Sequence, residues 1–220
     1  MARTALVAGA SGLVGSHVLQ LLLEDPEYQR VTVLARRALP TTHKRLDQRI
    51  LALDGLAQMA DFPRVHDAFC CLGTTIRRAG SQEAFRKVDY AYVVELARVA
   101  ERHRASQFLA VTAIGADPRS RVFYNRVKGE AEEALRRLSF EGMHIFRPSL
   151  LLGRRAERRP AERMAMMLSP LISWAFMGPL ARYRPIKALV VARAMVRVAR
   201  EGVRGVRVYE SDAIRRLGRR

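Results

Sequence analysis

A chain of 220 residues with 49% apolar residues can form one domain with a substantial core, which excludes a disordered protein. Its formal net charge of +18 comes almost entirely from arginine, but these arginines are scattered and accompany no nucleic-acid motif, so no specific nucleic-acid function is expected. Cys70 and Cys71 are adjacent and suit core thiols in a reducing compartment. With no secretory signal ahead of the first strand, the expected location is cytoplasmic.

A glycine-rich turn joins the first two predicted elements. Residues 5–8 are an apolar run typical of a buried strand, and a helix is predicted from residue 12 to residue 24. Glycines at a spacing of three between a strand and a helix allow a tight turn, close approach of a pyrophosphate and close helix packing. The helix N-terminus adds free N–H groups. We therefore predict a dinucleotide cradle formed by Gly9, Ser11, Gly12, Leu13 and Gly15.

Two arginines follow the second predicted strand, residues 31–35. A site that prefers NAD carries an acidic residue about 20 positions past the glycines, where it binds the ribose 2′-hydroxyl. Here Arg36 and Arg37 occupy that place, and guanidinium groups suit a 2′-phosphate. This favours NADP(H) over NAD(H), although two surface arginines in an arginine-rich chain are the simpler interpretation.

Further strands are predicted over residues 49–53 and 65–72. Asp54, after the first of these, is a candidate contact for the adenine. The second leads into Leu72, Gly73 and Thr74, a small-residue turn beside which a cofactor could pass. Residues 81–104 have the periodicity of a long helix, whose exposed face could pair with a second copy of the chain as a homodimer.

The candidate chemical groups follow a fifth strand, residues 107–112. Tyr124 and Lys128 are four residues apart on a helix predicted over residues 121–138, so both side chains point from one face. Tyr124 could donate a proton during reduction of a carbonyl, and a neighbouring ammonium favours the ionised form of a tyrosine. Lys128 could also hold ribose hydroxyls, and the Thr112 hydroxyl could bind the substrate oxygen. By itself a Tyr-x-x-x-Lys pair is often an exposed helix pair.

A sixth strand, residues 143–146, ends at Arg147 and Pro148. The repeated alternation of strands and helices predicts an α/β fold, a Rossmann-type doubly wound parallel sheet with the ligand at the carboxyl ends of its strands. Residues 1–150 would form the nucleotide-binding core. Residues 151–220 would add a small lid or substrate region within the same domain.

The apolar segment 164–180 is interrupted by prolines and is too short for a good membrane span. It is predicted to be a buried or lid helix over the substrate pocket, and the alternative is an interfacial helix that touches a membrane surface. A helix over residues 188–200, a strand over residues 206–209 and a basic tail complete the chain.

The chain resembles the short-chain dehydrogenase/reductases, and within them the atypical branch that includes the Tat-interacting-protein, or metastasis-suppressor, oxidoreductases. The strings that carry this resemblance are Gly9-Ala10-Ser11-Gly12 with Gly15, Arg36-Arg37, Cys70-Cys71-Leu72-Gly73-Thr74-Thr75, Val88-Asp89, Gly115-Ala116-Asp117, Tyr124 with Val127-Lys128-Gly129-Glu130, and Phe146-Arg147-Pro148.

The resemblance implies an NADPH-binding Rossmann fold with Tyr124 and Lys128 as the catalytic pair. It also implies Thr112 in the position of the family's serine, and Arg147 and Pro148 near the nicotinamide. Many extended members of the family carry asparagine at the position of Asp89. This chain therefore departs from the pattern in which that asparagine takes part in a proton relay through the helix. We predict an NADP-dependent oxidoreductase acting on a carbonyl or alcohol of unknown identity. The alternative is an NADPH-binding sensor or scaffold without significant turnover.

Overall fold

The computed structural model describes residues 2–59, 61–153 and 183–219. The predicted lid segment 164–180 lies outside these ranges. The strands of the described residues, in chain order, are β1 (Arg3–Ala8), β2 (Tyr28–Ala35), β3 (Leu46–Ile50), β4 (Asp67–Cys70), β5 (Gln107–Val111), β6 (Gly142–Arg147), β7 (Leu151–Leu152), β8 (Ile186–Lys187) and β9 (Gly205–Glu210).

Seven of these strands form one parallel sheet in the order β3-β2-β1-β4-β5-β6-β9. The chain runs outward from β1 to β3, returns to the centre at β4, and then runs outward on the other side. The strand order therefore reverses between β1 and β4, which is where open α/β sheets bind their ligands. The predicted doubly wound parallel sheet is confirmed. Strands β7 and β8 pair separately as a two-stranded parallel sheet.

The helices of the described residues are α1 (Leu13–Glu24), a 3₁₀ helix (Leu53–Gln58), α2 (Ile76–Ala79), α3 (Gln82–Arg86), a π-helical segment (Lys87–Ala91), α4 (Tyr92–Arg102), α5 (Phe123–Arg136), α6 (Ala188–Glu201) and α7 (Ser211–Gly218). Helices α1, α6 and α7 contribute to the apolar core on one face of the sheet, and α4 and α5 to the core on the other. No helix within the described ranges is long and apolar enough to cross a membrane.

Strand β1 shows how the two cores arise from one sequence. Its side chains alternate between the faces, so Ala5 and Val7 belong to the first core, whereas Leu6 and Ala8 belong to the second. All four are completely buried. A strand covered on both faces has a continuous apolar sequence, which is why residues 5–8 lack the alternation of a half-exposed strand.

The structure corrects three predicted elements. The third strand is Leu46–Ile50 and lies upstream of the predicted residues 49–53, because pairing with β2 sets its register and joins Val31 to Leu46. The predicted helix 81–104 contains the π-helical segment in its interior. The predicted basic tail folds as α7, whose Ile214 is fully buried.

Candidate functional site

The glycine turn after β1 is fixed by close backbone packing. Gly9 has a φ of +83°, and a Cβ added there would overlap the carbonyl oxygen of Cys71 on β4's exit loop. A Cβ on Gly15 would overlap the carbonyl oxygen of Gly9. The N–H of Gly12 donates to that same oxygen at 2.8 Å. The turn therefore needs glycine at two positions, and it holds the start of α1 directly against the ends of β1 and β4.

The N-terminus of α1 opens onto a cavity of about 760 Å³ at the carboxyl ends of the central strands. Gly12 is the N-cap residue and offers no side-chain hydrogen bond, so the first N–H groups of α1 are left for another acceptor. A helix N-terminus with these properties suits a phosphate, and the volume lies within the range of ligand pockets. These residues therefore fit the pyrophosphate of a dinucleotide.

Nine of the predicted site residues line this one cavity. They come from α1, from the loops after β4, β5 and β6, and from α5, and they are Gly12, Leu13, Leu72, Gly73, Thr74, Thr112, Tyr124, Lys128 and Pro148. Elements far apart in sequence thus bring the predicted cofactor-binding and catalytic groups to one place.

Lys128 is buried in the cavity wall and forms an ion pair with Asp89. Its Nζ lies 2.7 Å from Asp89 Oδ1, and the side chains are 5% and 0% exposed. The N–H of Thr74 donates to the other oxygen of Asp89 at 2.9 Å. Burial alone lowers the pKa of Lys128, but the attraction of Asp89, followed by that of Tyr124, outweighs it and raises this pKa above its ordinary value.

Tyr124 lies one turn before Lys128 on α5. Its ring packs against the buried Phe85 with centroids 5.4 Å apart. Its hydroxyl has no hydrogen-bond partner among the residues that the structure describes. A phenol that is held through its ring and lines a cavity with an unused hydroxyl is available to a bound ligand.

Thr112 and Arg147 belong to a network behind the cavity. The hydroxyl of Thr112 donates to Glu132 Oε1 at 2.7 Å, and Arg147 Nη2 lies 2.6 Å from Glu132 Oε2. Arg147 also pairs with Glu210 at 3.0 Å. The Thr112 hydroxyl can therefore only accept from a ligand while it donates to Glu132. The resemblance implies that Arg147 lies near the nicotinamide. In the structure Arg147 does not line the cavity and binds two carboxylates instead.

The remaining predicted contacts lie outside the cavity lining. Arg36 and Arg37 are exposed directly after β2, on the same sheet edge as the glycine turn. Ser11 is exposed, and Gly9 and Gly15 form the turn behind the cavity. Asp54 lies in the 3₁₀ helix, where Lys87 and the hydroxyl of Tyr92 contact its carboxylate. These two contacts differ from the predicted role of Asp54 at the end of a strand.

Two buried acids were missed as site residues. Asp89 follows Phe85 by four residues on the buried side of the helix, and Glu132 follows Lys128 by four on α5. Both positions are acidic where the periodicity of the helix calls for an apolar residue. An acid at such a position indicates a buried partner of opposite charge, and that signal could have found both residues.

The strand order, the glycine turn and the Tyr-Lys pair on one cavity define a nucleotide-binding Rossmann domain of the type found in oxidoreductases. The chain belongs to the NAD dependent epimerase/dehydratase family, whose sequence profile matches residues 5–206. Family membership supports the assignment of this chain as an oxidoreductase of the atypical short-chain type. The family depends on NAD(P).

Curated relatives confirm the resemblance to the Tat-interacting-protein branch. Protein HTATIP2 of Rattus norvegicus is 32% identical over 224 residues, which cover 99% of this chain and 90% of the relative. Protein FMP52, mitochondrial, of Coccidioides immitis is 32% identical over 240 residues, which cover 100% and 97%. Its counterpart in Aspergillus fumigatus, also named mitochondrial, is 37% identical over 170 residues, which cover 74% and 72%. These fungal relatives overturn the expected cytoplasmic location, which was wrong.

Solved structures share the fold. WbmH of Bordetella bronchiseptica, in complex with NAD⁺, superposes with a TM-score of 0.70 at 15% identity and covers 99% of this chain and 79% of that one. MoeE5, in complex with UDP-glucose and NAD, gives a TM-score of 0.69 at 18% identity and covers 94% and 75%. At these identities the similarity establishes the Rossmann architecture.

Proposed function

We propose that this chain is an NADP(H)-dependent oxidoreductase that interconverts a carbonyl and an alcohol. One observation carries the proposal: Tyr124 and Lys128 line the same cavity as the uncapped N-terminal turn of α1. A phosphate-binding helix end and a proton donor on one cavity are the two parts that hydride chemistry requires of the protein. Glycines 9, 12 and 15, with the loop of Leu72, Gly73 and Thr74, would hold the cofactor.

The bound cofactor would supply a hydride to the carbonyl carbon, or accept one from the alcohol. In the reducing direction the carbonyl oxygen gains negative charge, and the Tyr124 hydroxyl would donate the proton that completes the alcohol. Lys128 would hold ribose hydroxyls through its ammonium and favour the phenolate that Tyr124 becomes. While its proton is donated to Glu132, the oxygen of Thr112 would accept a hydrogen bond from the hydroxyl of the alcohol, and it has no proton to offer to a carbonyl oxygen.

The most direct test removes the Tyr124 hydroxyl. Tyr124→Phe should lower NADPH turnover against a panel of carbonyl compounds by about 10²–10⁴-fold, because general acid catalysis contributes that much. NADPH should still raise the melting temperature of the variant, since the ring and the cavity persist. Tyr90→Phe makes the same change outside the cavity lining and should retain turnover.

Two arginines support the choice of NADP(H). Arg36 and Arg37 are exposed after β2, where a dinucleotide fold places the adenosine ribose. Changing both to alanine should weaken NADPH by about tenfold or more and NADH by less than twofold, since a bidentate guanidinium contact to phosphate is lost. Arg193→Ala with Arg207→Ala removes the same charge from α6 and β9 as a control. Equal losses for both cofactors would contradict the phosphate role.

A second candidate function is an NADPH-binding sensor without significant turnover. The observation that favours it is that Thr112 and Lys128 are both engaged by buried carboxylates. If the wild-type protein binds NADPH tightly but turns over no substrate of the panel, and Tyr124→Phe leaves binding unchanged, the sensor function is the better one.

A further inference from the structure

The structure contains two Asp–Lys ion pairs of equal length in contrasting surroundings. Lys128 and Asp89 are 2.7 Å apart with side chains 5% and 0% exposed. Lys87 and Asp54 are also 2.7 Å apart, with side chains 53% and 61% exposed. An exposed pair contributes little because water screens both charges, whereas the partners of a buried pair depend on each other.

The π-helical segment places Asp89 beside Lys128. Within it the N–H of Tyr92 donates to the carbonyl oxygen of Lys87, five residues back, so this turn holds one residue more than an α-helical turn. Asp89 lies in the middle of the widened turn and is 1% exposed. Such π turns occur often at functional sites.

The surroundings of Lys128 leave Asp89 as its counter-ion. The titratable groups that act on Lys128 are Asp89, Tyr124 of α5 and Cys70 of β4. Burial raises the pKa of the Cys70 thiol to about 11, so Cys70 is neutral at physiological pH. Asp89 is the one carboxylate that lines the cavity within the described ranges. Without it, burial would act on the ammonium unopposed.

We propose that Asp89 is a positioning residue that keeps the Lys128 ammonium charged and fixed in the cavity wall. An ammonium has three donors, so one can serve Asp89 while the others stay available to hydroxyl oxygens of a ligand. A Cβ placed on Gly73 would lie 3.4 Å from Asp89 Oδ1 and 3.7 Å from Lys128 Nζ, so the turn after β4 covers the pair closely. The proposal rests on the proposed function only in taking that ligand to be NADPH.

The charge of Lys128 can be measured directly, because the chain has only four lysines. In protein labelled with ¹³Cε-lysine, four signals are followed by NMR as a function of pH, and Lys128→Arg assigns one of them. The Lys128 signal of the wild type should report a charged ammonium at pH 10.5. In Asp89→Asn, which keeps an oxygen for the Thr74 N–H, Lys128 should lose its charge at a pH lower by about three units or more, because burial then acts unopposed. Asp54→Asn is the matched control, and Lys87 should shift by less than about half a unit. An unchanged Lys128 titration in Asp89→Asn overturns the proposal.

NADPH binding provides a second readout, with each dissociation constant taken relative to the wild type at the same pH. Asp89→Asn should bind about tenfold more weakly at pH 8.5 and recover to within about threefold at pH 6, where Lys128 regains its charge. Lys128→Met should be weak at both values. If Asp89→Asn weakens NADPH binding equally at both pH values, Asp89 acts through packing and not through the charge of Lys128. A wild-type protein that binds no NADPH would refute the proposed function, while the lysine titration would still decide the role of Asp89.

Discussion

The two ends of the parallel sheet both bury a carboxylate, but they differ in how many hydrogen-bonding groups remain unused. At the amino end, Asp67 is completely buried and accepts four hydrogen bonds of 2.7–2.9 Å from Arg3, Tyr28 and Gln107. Burial, followed by the charge of Asp67, raises the pKa of Tyr28 and keeps its phenol protonated as a donor. These groups satisfy one another and present nothing to a ligand.

The carboxyl end is arranged differently. Asp89 binds Lys128 and the Thr74 N–H, but Lys128 keeps further donors, and the hydroxyl of Tyr124 has no partner within the described residues. A tyrosine and a basic residue thus occur at both ends with opposite consequences. The hydroxyl of Tyr28 donates to Asp67 and stabilises the fold, whereas Tyr124 faces a cavity. The number of unsatisfied donors separates a structural network from a functional one.

The largest expected effect comes from removing the carboxylate at the amino end. Asp67→Ala leaves Arg3, Tyr28 and Gln107 without their shared acceptor, so the free energy of unfolding in urea should fall by about 3–5 kcal/mol. The exposed pair of Asp212 with Arg216 supplies the control, and Asp212→Ala should cost less than about 1 kcal/mol. If the free energy of unfolding falls equally little in both variants, the amino-end network does not stabilise the protein.

A smaller, pH-dependent effect is expected from His144, which contacts Gln107 at 3.2 Å. Burial lowers the pKa of His144 to about 4, below the ordinary 6.5. Between these two pH values His144 is protonated in the unfolded chain but neutral in the folded chain. The free energy of unfolding therefore falls as the pH drops from about 6.5 to about 4. His144→Asn should remove on the order of 2 kcal/mol of that fall. Urea titrations at pH 7 and pH 4.5 measure it, with the exposed His43→Asn as control. An undiminished pH dependence in His144→Asn would assign the fall to other groups.

The sequence predicts the part of the fold that depends on local patterns. The apolar run of residues 5–8, the glycines that follow and the periodicity of the next helix are all local, and they suffice for β1, the turn and α1. The third strand was misplaced because its register depends on β2, which is distant in sequence. The sequence predicts a basic tail where the structure has α7, because the arginines around Ile214 conceal the buried side of this helix.

The site divides along the same line. Tyr124 and Lys128 are four residues apart on one helix, so their common face follows from helical geometry. Their partners come from other elements: Asp89 reaches Lys128 across the cavity wall, and Arg147 reaches Glu132 from β6 to α5. Such pairings depend on tertiary packing, which single-sequence patterns do not report. For Arg147 the resemblance implies a place near the nicotinamide, whereas tertiary packing pairs it with Glu132 and Glu210.

The smallest expected effect tests that reassignment of Arg147. Its guanidinium binds Glu132 through two nitrogens and Glu210 through the third, an arrangement that a lysine cannot reproduce. Arg147→Lys keeps the charge, so the free energy of unfolding should fall by only about 1–2 kcal/mol. The dissociation constant for NADPH should stay within about twofold, because Arg147 does not line the cavity. Arg216→Lys, in an exposed pair, controls for the substitution itself. A tenfold loss of NADPH affinity with unchanged stability would instead return Arg147 to the cofactor site and show that the network behind Thr112 takes part in binding.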